Sequence, residues 1–163
     1  MTTPISGENY REIGRSAAGA VSVVASYDTE GAGVAALTVS SFVTLSFDPP
    51  LVMFAIQHAG ASFRPMVESR VFGVSLLTVG QKHLAERFAT KGSGQRDPRD
   101  FRPGETLNVP LLAESLAQVE CSTHQLMMSG DHAIVVGLVE AARTQPGEPL
   151  LYFDRRYGSF IPL

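Results

Sequence analysis

Cysteine is almost missing from this chain of 163 residues: Cys121 stands alone, and there is no tryptophan. A single thiol excludes an internal disulfide and fits a reducing compartment, so a cytoplasmic protein is expected. No cysteine pair and no His-Glu-x-x-His run occurs, which argues against a dedicated metal site. Charge of one sign is scarce too. Lys and Arg number 13 against 16 Asp and Glu, a net charge of −3. Nucleic-acid binders usually carry a basic stripe, so no nucleic-acid partner is expected. No apolar run approaches the ~18 residues of a membrane span, and no membrane role is expected. The polar stretch Met1 to Asn9 has the features of neither a signal peptide nor a transit peptide. The Gly-x-Ser-x-Gly elbow of a serine hydrolase is absent. Lys91-Gly92-Ser93-Gly94 lacks the spacing of a Walker loop. Gly31-Ala32-Gly33-Val34-Ala35-Ala36 matches the loose dinucleotide pattern. It precedes a strand rather than a helix, however, and no acid lies about 20 residues on, so it reads as a turn.

Apolar residues make up 44% of the chain and charged residues 18%, enough apolar material for one well-packed domain spanning 1–163. Tyr10, Ile13, Gly14, Ala17 and Ala18 form one face of a helix, with Ser6 or Asn9 as its cap. From Ala20 the period changes to two, and strands are expected over Val21 to Ser26 and from Val34 to about Leu45. Asp48-Pro49-Pro50 must lie outside a sheet, because prolines remove donors. Leu51 to Ile56 and Val71 to Leu77 read as strands buried on both faces. Between them, Ser62 to Glu68 reads as a short helix with Pro65 in its first turn. Thr78-x-x-Gln81 has the form of a capping box opening a helix to Ala89, with Leu84 and Phe88 inward. The Pro- and Gly-rich stretch 89–110 reads as a long surface loop. Ala117 to Leu126 and Ala133 to Ala142 read as strands joined across Met127 to His132, and Leu150 to Phe153 and Tyr157 to Phe160 as a last pair. Strands in runs, with few helices between them, predict a mainly β, antiparallel barrel with helices outside it.

Two segments carry chemistry beyond a plain barrel. Thr38, Ser40, Ser41, Thr44 and Ser46 crowd into a stretch flanked by apolar strands. Their hydroxyls and nearby backbone N–H groups suit a planar polar ring or a phosphate, or else mark an irregular strand and turn. Gly130-Asp131-His132 sets a histidine beside an acid at the mouth of a hairpin: a positioned ligand contact, or a plain turn histidine. His58, His83 and His124 have no comparable setting.

In order along the chain, several motifs resemble the short-chain flavin reductase family, with its FMN-binding split-barrel fold. They are Tyr10-Arg11-Glu12, Gly19-Ala20-Val21-Ser22-Val23-Val24, Leu37-Thr38-Val39-Ser40-Ser41-Phe42, Ser46-Phe47-Asp48-Pro49-Pro50-Leu51-Val52, Leu84-Ala85-Glu86-Arg87-Phe88, Gly130-Asp131-His132 to Gly137, and Pro149-Leu150-Leu151-Tyr152 to Arg156-Tyr157. The similarity covers about residues 10–160. It implies an antiparallel split β-barrel and an NAD(P)H:flavin oxidoreductase. Such an enzyme reduces FMN or FAD with NADH or NADPH and serves a separate flavin-dependent monooxygenase. It implies a homodimer as well.

By the same resemblance, Thr38, Val39, Ser40 and Ser41 hold the flavin ring and ribityl chain. Ser62 meets the phosphate, Arg87 and Phe88 lie at the phosphate or adenine end, Tyr157 belongs to the cofactor-binding set, and His132 faces the nicotinamide. The phosphate loop departs from the pattern: a run of hydroxyls is replaced by Ala59-Gly60-Ala61-Ser62-Phe63-Arg64, with Arg64 as a charge-assisted substitute. Ser40 and Ser41 are expected to matter more for flavin than for folding. Lys91, Arg96, Arg99 and Arg102 are expected to offset the acidic net charge near an anionic cofactor. Two other readings stay open: a split-barrel enzyme that keeps its flavin to act on another substrate, and a non-catalytic flavin-binding or electron-carrier protein.

Overall fold

A computed structural model describes residues 5–28, 33–90 and 97–163. Helix α1 (Gly7–Ser16) is capped by Ser6, whose hydroxyl accepts the Asn9 amide proton at 3.2 Å. It ends before the predicted Ala18, and its apolar residues Tyr10 and Ile13 stay exposed. Strands β1 (Gly19–Ala20), β2 (Ser22–Tyr27), β3 (Val34–Val39), β4 (Val43–Ser46) and β5 (Leu51–Gln57) follow. Then come α2 (Phe63–Ser69), β6 (Val71–Leu76) and, after a 3-10 turn over Val79–Gln81, α3 (Lys82–Ala89). The capping box is present: the Thr78 amide donates to Gln81 Oε1 at 3.1 Å. The chain closes with β7 (Phe101–Pro103), β8 (Pro110–Leu112), β9 (Ala117–Ser129), β10 (His132–Thr144), β11 (Leu151–Phe153) and β12 (Arg156–Gly158).

The main sheet has seven antiparallel strands in the order β3-β2-β6-β9-β10-β5-β4. The single strand expected over Val34 to Leu45 is therefore two strands, at opposite ends of that order. Only Ser40, Ser41 and Phe42 join them. Four Cα steps span at most about 13–14 Å. The sheet must curl until its edges nearly meet, which makes a barrel split along the β3/β4 seam. Among the described residues no hydrogen-bonded ladder closes that seam. α3 packs on the outside against β3 and β2, whereas α2 packs against β2 and β6 and sends Met66 into the barrel core.

Strand β2 is buried on both faces because it separates two cores. Val24 joins Val52, Phe54, Phe72, Val74 and Val135 inside the barrel, where the Phe54 and Phe72 rings meet edge to face at 5.3 Å. Val21, Val23 and Ala25 join Leu77, Ala85 and Phe88 beneath α3. β6 is likewise covered twice, since β8 crosses its outer face so closely that a Cβ on Gly73 would lie 2.5 Å from the Pro110 carbonyl. β5 departs from expectation. Val52, Phe54 and Ile56 are buried, but Leu51, Met53 and Ala55 on the other face are only partly covered. That strand lies next to the sheet edge, away from the faces the helices cover.

The stretch expected as a long surface loop is partly built. Its described portion forms a 3-10 turn, Pro98–Asp100, and then β7, paired with β8. Phe101 is buried, with its ring centroid 5.5 Å from that of Phe88. The buried Glu120 carboxylate accepts the amides of Thr106 at 3.1 Å and Leu107 at 2.6 Å. Gly31, Ala32, Lys91-Gly92-Ser93-Gly94 and Arg96 lie outside the described residues. The hairpin of β9 and β10 is longer than expected, and its connection shrinks to Gly130-Asp131, where Gly130 adopts φ +61°. A left-handed residue is what a two-residue hairpin turn requires. No helix of the described residues is long and apolar enough to cross a membrane.

Candidate active site

The seam opens beside a groove of about 360 Å³, walled by the end of β3, the loop after β5 and the end of α3. It brings Thr38, Ser62 and Phe88 together, with Leu37, Ile56, Gln57 and Phe63 around them. The Thr38 hydroxyl donates to the Ala85 carbonyl at 2.8 Å, tying β3 to α3. Ser62 donates to the Ala36 carbonyl at 3.0 Å, tying the loop to β3. Each hydroxyl has one proton, so each oxygen is left with lone pairs to accept from a ligand. Apolar walls with a few convergent hydroxyls suit a flat heteroaromatic ring with a polar chain.

Ser41 does structural work as well. Its hydroxyl accepts the Ala55 amide at 3.0 Å, continuing the β5 edge where the β4 ladder stops at Met53. Ser40 is exposed, whereas the Val39 side chain is buried in the barrel core, which leaves only its backbone for a ligand. Arg64 is not in the groove wall; its Nε donates to Glu68 at 2.7 Å along the exposed side of α2. Arg87 pairs with Asp100 at 2.7 Å, and its guanidinium carbon lies 5.4 Å from the centroid of the neighbouring Phe88 ring. Tyr157 packs on Tyr152 at 5.2 Å beside the core under α3, outside the groove wall, and burial pushes its phenol up. Of the loop cations expected to attract an anion, Arg99 is paired to Asp97 at 2.7 Å; that hydrogen bond holds the Asp97 carboxyl at about 2.

His132 opens β10 directly opposite Gln57, one of the groove residues. Its Nδ1 lies 2.7 Å from Asp131 Oδ1, and its side chain is 45% exposed, open enough for a ligand to reach it. The hydrogen bond to His132, then its charge, holds the Asp131 carboxyl below the usual carboxylate range. Sequence reasoning gave His58 no setting. The structure places its Nε2 3.0 Å from the Gly130 carbonyl. That contact joins segments 72 residues apart, and no local pattern announces it.

Residues 14–160 match the family described as flavin reductase like domain. The chain belongs to this family. It is 37% identical over 157 residues to the reductase component of 4-hydroxyphenylacetate 3-monooxygenase of Thermus thermophilus, covering 94% of this chain and 97% of that protein. It is 33% identical over 131 residues to an NADH-dependent FAD reductase of Streptomyces globisporus, covering 77% and 72%. Among solved structures, BorF, the flavin reductase component of a bacterial two-component tryptophan halogenase, superposes with a TM-score of 0.88 at 27% identity, covering 97% and 100%. The NADH:FAD oxidoreductase of Streptomyces globisporus, in complex with NAD and FAD fragments, superposes with a TM-score of 0.86 at 29% identity, covering 99% and 98%. The fold is the split barrel of the flavin reductases.

Proposed function

We propose that this chain is an NAD(P)H:flavin oxidoreductase that reduces FMN or FAD and supplies the reduced flavin to a separate flavin-dependent monooxygenase. The groove at the seam carries the reading: hydroxyls and apolar walls from three elements converge there, and His132 opens β10 opposite Gln57, one of the groove residues. A bound flavin supplies the hydride-accepting chemistry, so the protein's residues bind, orient and exclude water. Thr38, Ser40 and Ser41, with the Val39 backbone, hold the ring and ribityl chain. Ser62 takes the phosphate, its hydroxyl proton turning from the Ala36 carbonyl to a phosphate oxygen. Arg64 joins it by leaving Glu68, an exposed i,i+4 pair worth about 0.3–0.5 kcal/mol and so easily exchanged for a phosphate. Arg87 and Phe88 serve the phosphate or adenine end, with Tyr157 packed nearby. His132 bonds the nicotinamide carboxamide or the pyrophosphate.

The same reading takes the chain as a cytoplasmic homodimer. Val43, Met53, Ala55, Ile134 and Leu138 share the outer face of β4, β5 and β10, opposite the face that packs the barrel core. An obligate interface over such a face would bury more than about 2,000 Å².

Mixing the protein with NADH and free flavin tests the reading. Steady NADH oxidation that saturates with added flavin is expected. Turnover independent of added flavin would instead mean an enzyme that keeps its flavin, and no turnover a carrier. His132→Ala is expected to lower kcat/KM for NADH by roughly ten- to a hundredfold, the loss of one charge-assisted bond, with flavin affinity unchanged. Wild-type kinetics for that variant would make His132 a plain turn residue.

A further inference from the structure

The ladder between β5 and β10 ends at Gln57 opposite His132. One residue further, His58 takes over the hairpin turn itself. Its amide donates to the Asp131 carbonyl at 3.3 Å, and its ring Nε2 lies 3.0 Å from the Gly130 carbonyl. A carbonyl only accepts, so the bond requires the proton on Nε2. Both carbonyls of the two-residue turn are therefore held by a single residue. The tip has little else to hold it. β9 loses β6 as a neighbour after Ser122, and residues 124–131 are exposed. The Thr123 amide still donates to the Arg70 carbonyl at 2.8 Å, and beyond it β5 is the strand that pairs with the hairpin from outside. The imidazole also meets the ring of Phe63, centroids 6.1 Å apart and edge on. Phe63 opens α2 and lines the groove.

We infer that His58 is a positioning residue: it clamps the Gly130-Asp131 turn against the groove wall and thereby fixes His132 for the nicotinamide. This rests on the reading that His132 faces the nicotinamide. His58 touches no reacting atom. Its contribution is orientation, since a histidine on a loose hairpin tip spends little time aligned with its ligand. The two ends of the site are joined through it, because the loop that carries Ser62 and the turn that carries His132 meet on the same imidazole.

Two variants separate the donor from the ring. His58→Phe keeps an aromatic partner for Phe63 and removes the Nε2 proton. His58→Gln restores an N–H donor at similar reach. Hydrogen exchange of segment 129–132, measured on flavin-free protein, should be faster in His58→Phe and return toward wild type in His58→Gln. Stopped-flow reduction of flavin should show kcat/KM for NADH about three- to tenfold lower in His58→Phe, with flavin affinity unchanged and rescue by His58→Gln. Placed on His132→Ala, His58→Phe should cost nothing further, because it acts through a side chain that is gone. Wild-type exchange at the tip, an unaltered kcat/KM despite faster exchange, or a full further loss on His132→Ala each overturns the clamp. If His132→Ala itself leaves NADH use intact, the nicotinamide reading falls first and this inference falls with it.

Discussion

Replacing Ser41 by alanine tests what the crossover between the two sheet edges does. The β4 ladder stops pairing β5 at Met53, yet the Ala55 amide still points toward that edge and is met at 3.0 Å by the Ser41 hydroxyl. Without the hydroxyl this half-buried amide loses its acceptor. A net hydrogen bond is worth about 0.5–1.5 kcal/mol, and an amide left dry costs about 1–3 kcal/mol. Ala55 is only partly covered, so water reaches it in part and a loss of about 1–2 kcal/mol is expected. For a domain of this size that lowers Tm by roughly 2–8 °C. The hydroxyl proton is not committed to a good acceptor, since the Ala55 carbonyl is 3.5 Å away. It is available to a flavin oxygen, and its loss should weaken flavin binding by up to roughly tenfold. Thermal melting of flavin-free Ser41→Ala measures the first effect, and fluorescence titration with FMN and FAD the second. Ser41→Thr keeps the hydroxyl and should recover both. An unchanged Tm would refute the bridging role. A lowered Tm with unchanged affinity would make Ser41 a structural residue only.

Three further outcomes follow from the packing. Cys121 is buried in the barrel core, which pushes its thiol up to about 12. It should resist aromatic disulfide reagents at pH 8 in the folded protein and react fully in guanidinium. Because the folded value lies above the ordinary 9, stability should fall as pH rises from 9 toward about 12, which denaturant melts across that range would read. Gly137→Ala would set a Cβ 2.5 Å from the Phe72 ring and 3.0 Å from the Cys121 Cβ, an overpacking worth about 1–3 kcal/mol; an unchanged melt would contradict that geometry. Glu120→Ala removes the carboxylate that accepts the Thr106 and Leu107 amides and should cost about 1.5–3 kcal/mol in denaturant unfolding, while leaving flavin affinity as it is.

Features whose physics is local were legible in the sequence. The Thr78 and Gln81 capping box needs four residues and is where the pattern puts it; Gly130-Asp131 does form the hairpin turn, but the strands run closer to it than the pattern gives. The break at Ser40-Ser41-Phe42 was not legible. Val34 to Leu45 holds no proline or glycine to divide it, and either half is a sound strand; the doublets Ser40-Ser41 and Phe42-Val43, where the period slips, suit an irregular strand equally well. What divides it is pairing with distant segments: Val39 faces Ser22, while Val43 faces Met53 across the barrel. The same holds for β5, whose composition suits burial on both faces, although its outer face is left partly open by a place near the sheet edge. In the site, the hydroxyl-rich stretch stood out by composition. Its meeting with Ser62, and the absence of Arg64 from the groove wall, depended on where the loop after β5 crosses β3. The seam links the two. A strand that leaves one edge of a curled sheet and joins the other must cross the opening, and the residues that make the crossing have backbone groups the ladder cannot satisfy. Ser41 answers one such group with a side chain. The groove lies beside the crossing: Leu37 and Thr38, just before it, form part of the wall, while Ser40, Ser41 and Phe42 do not.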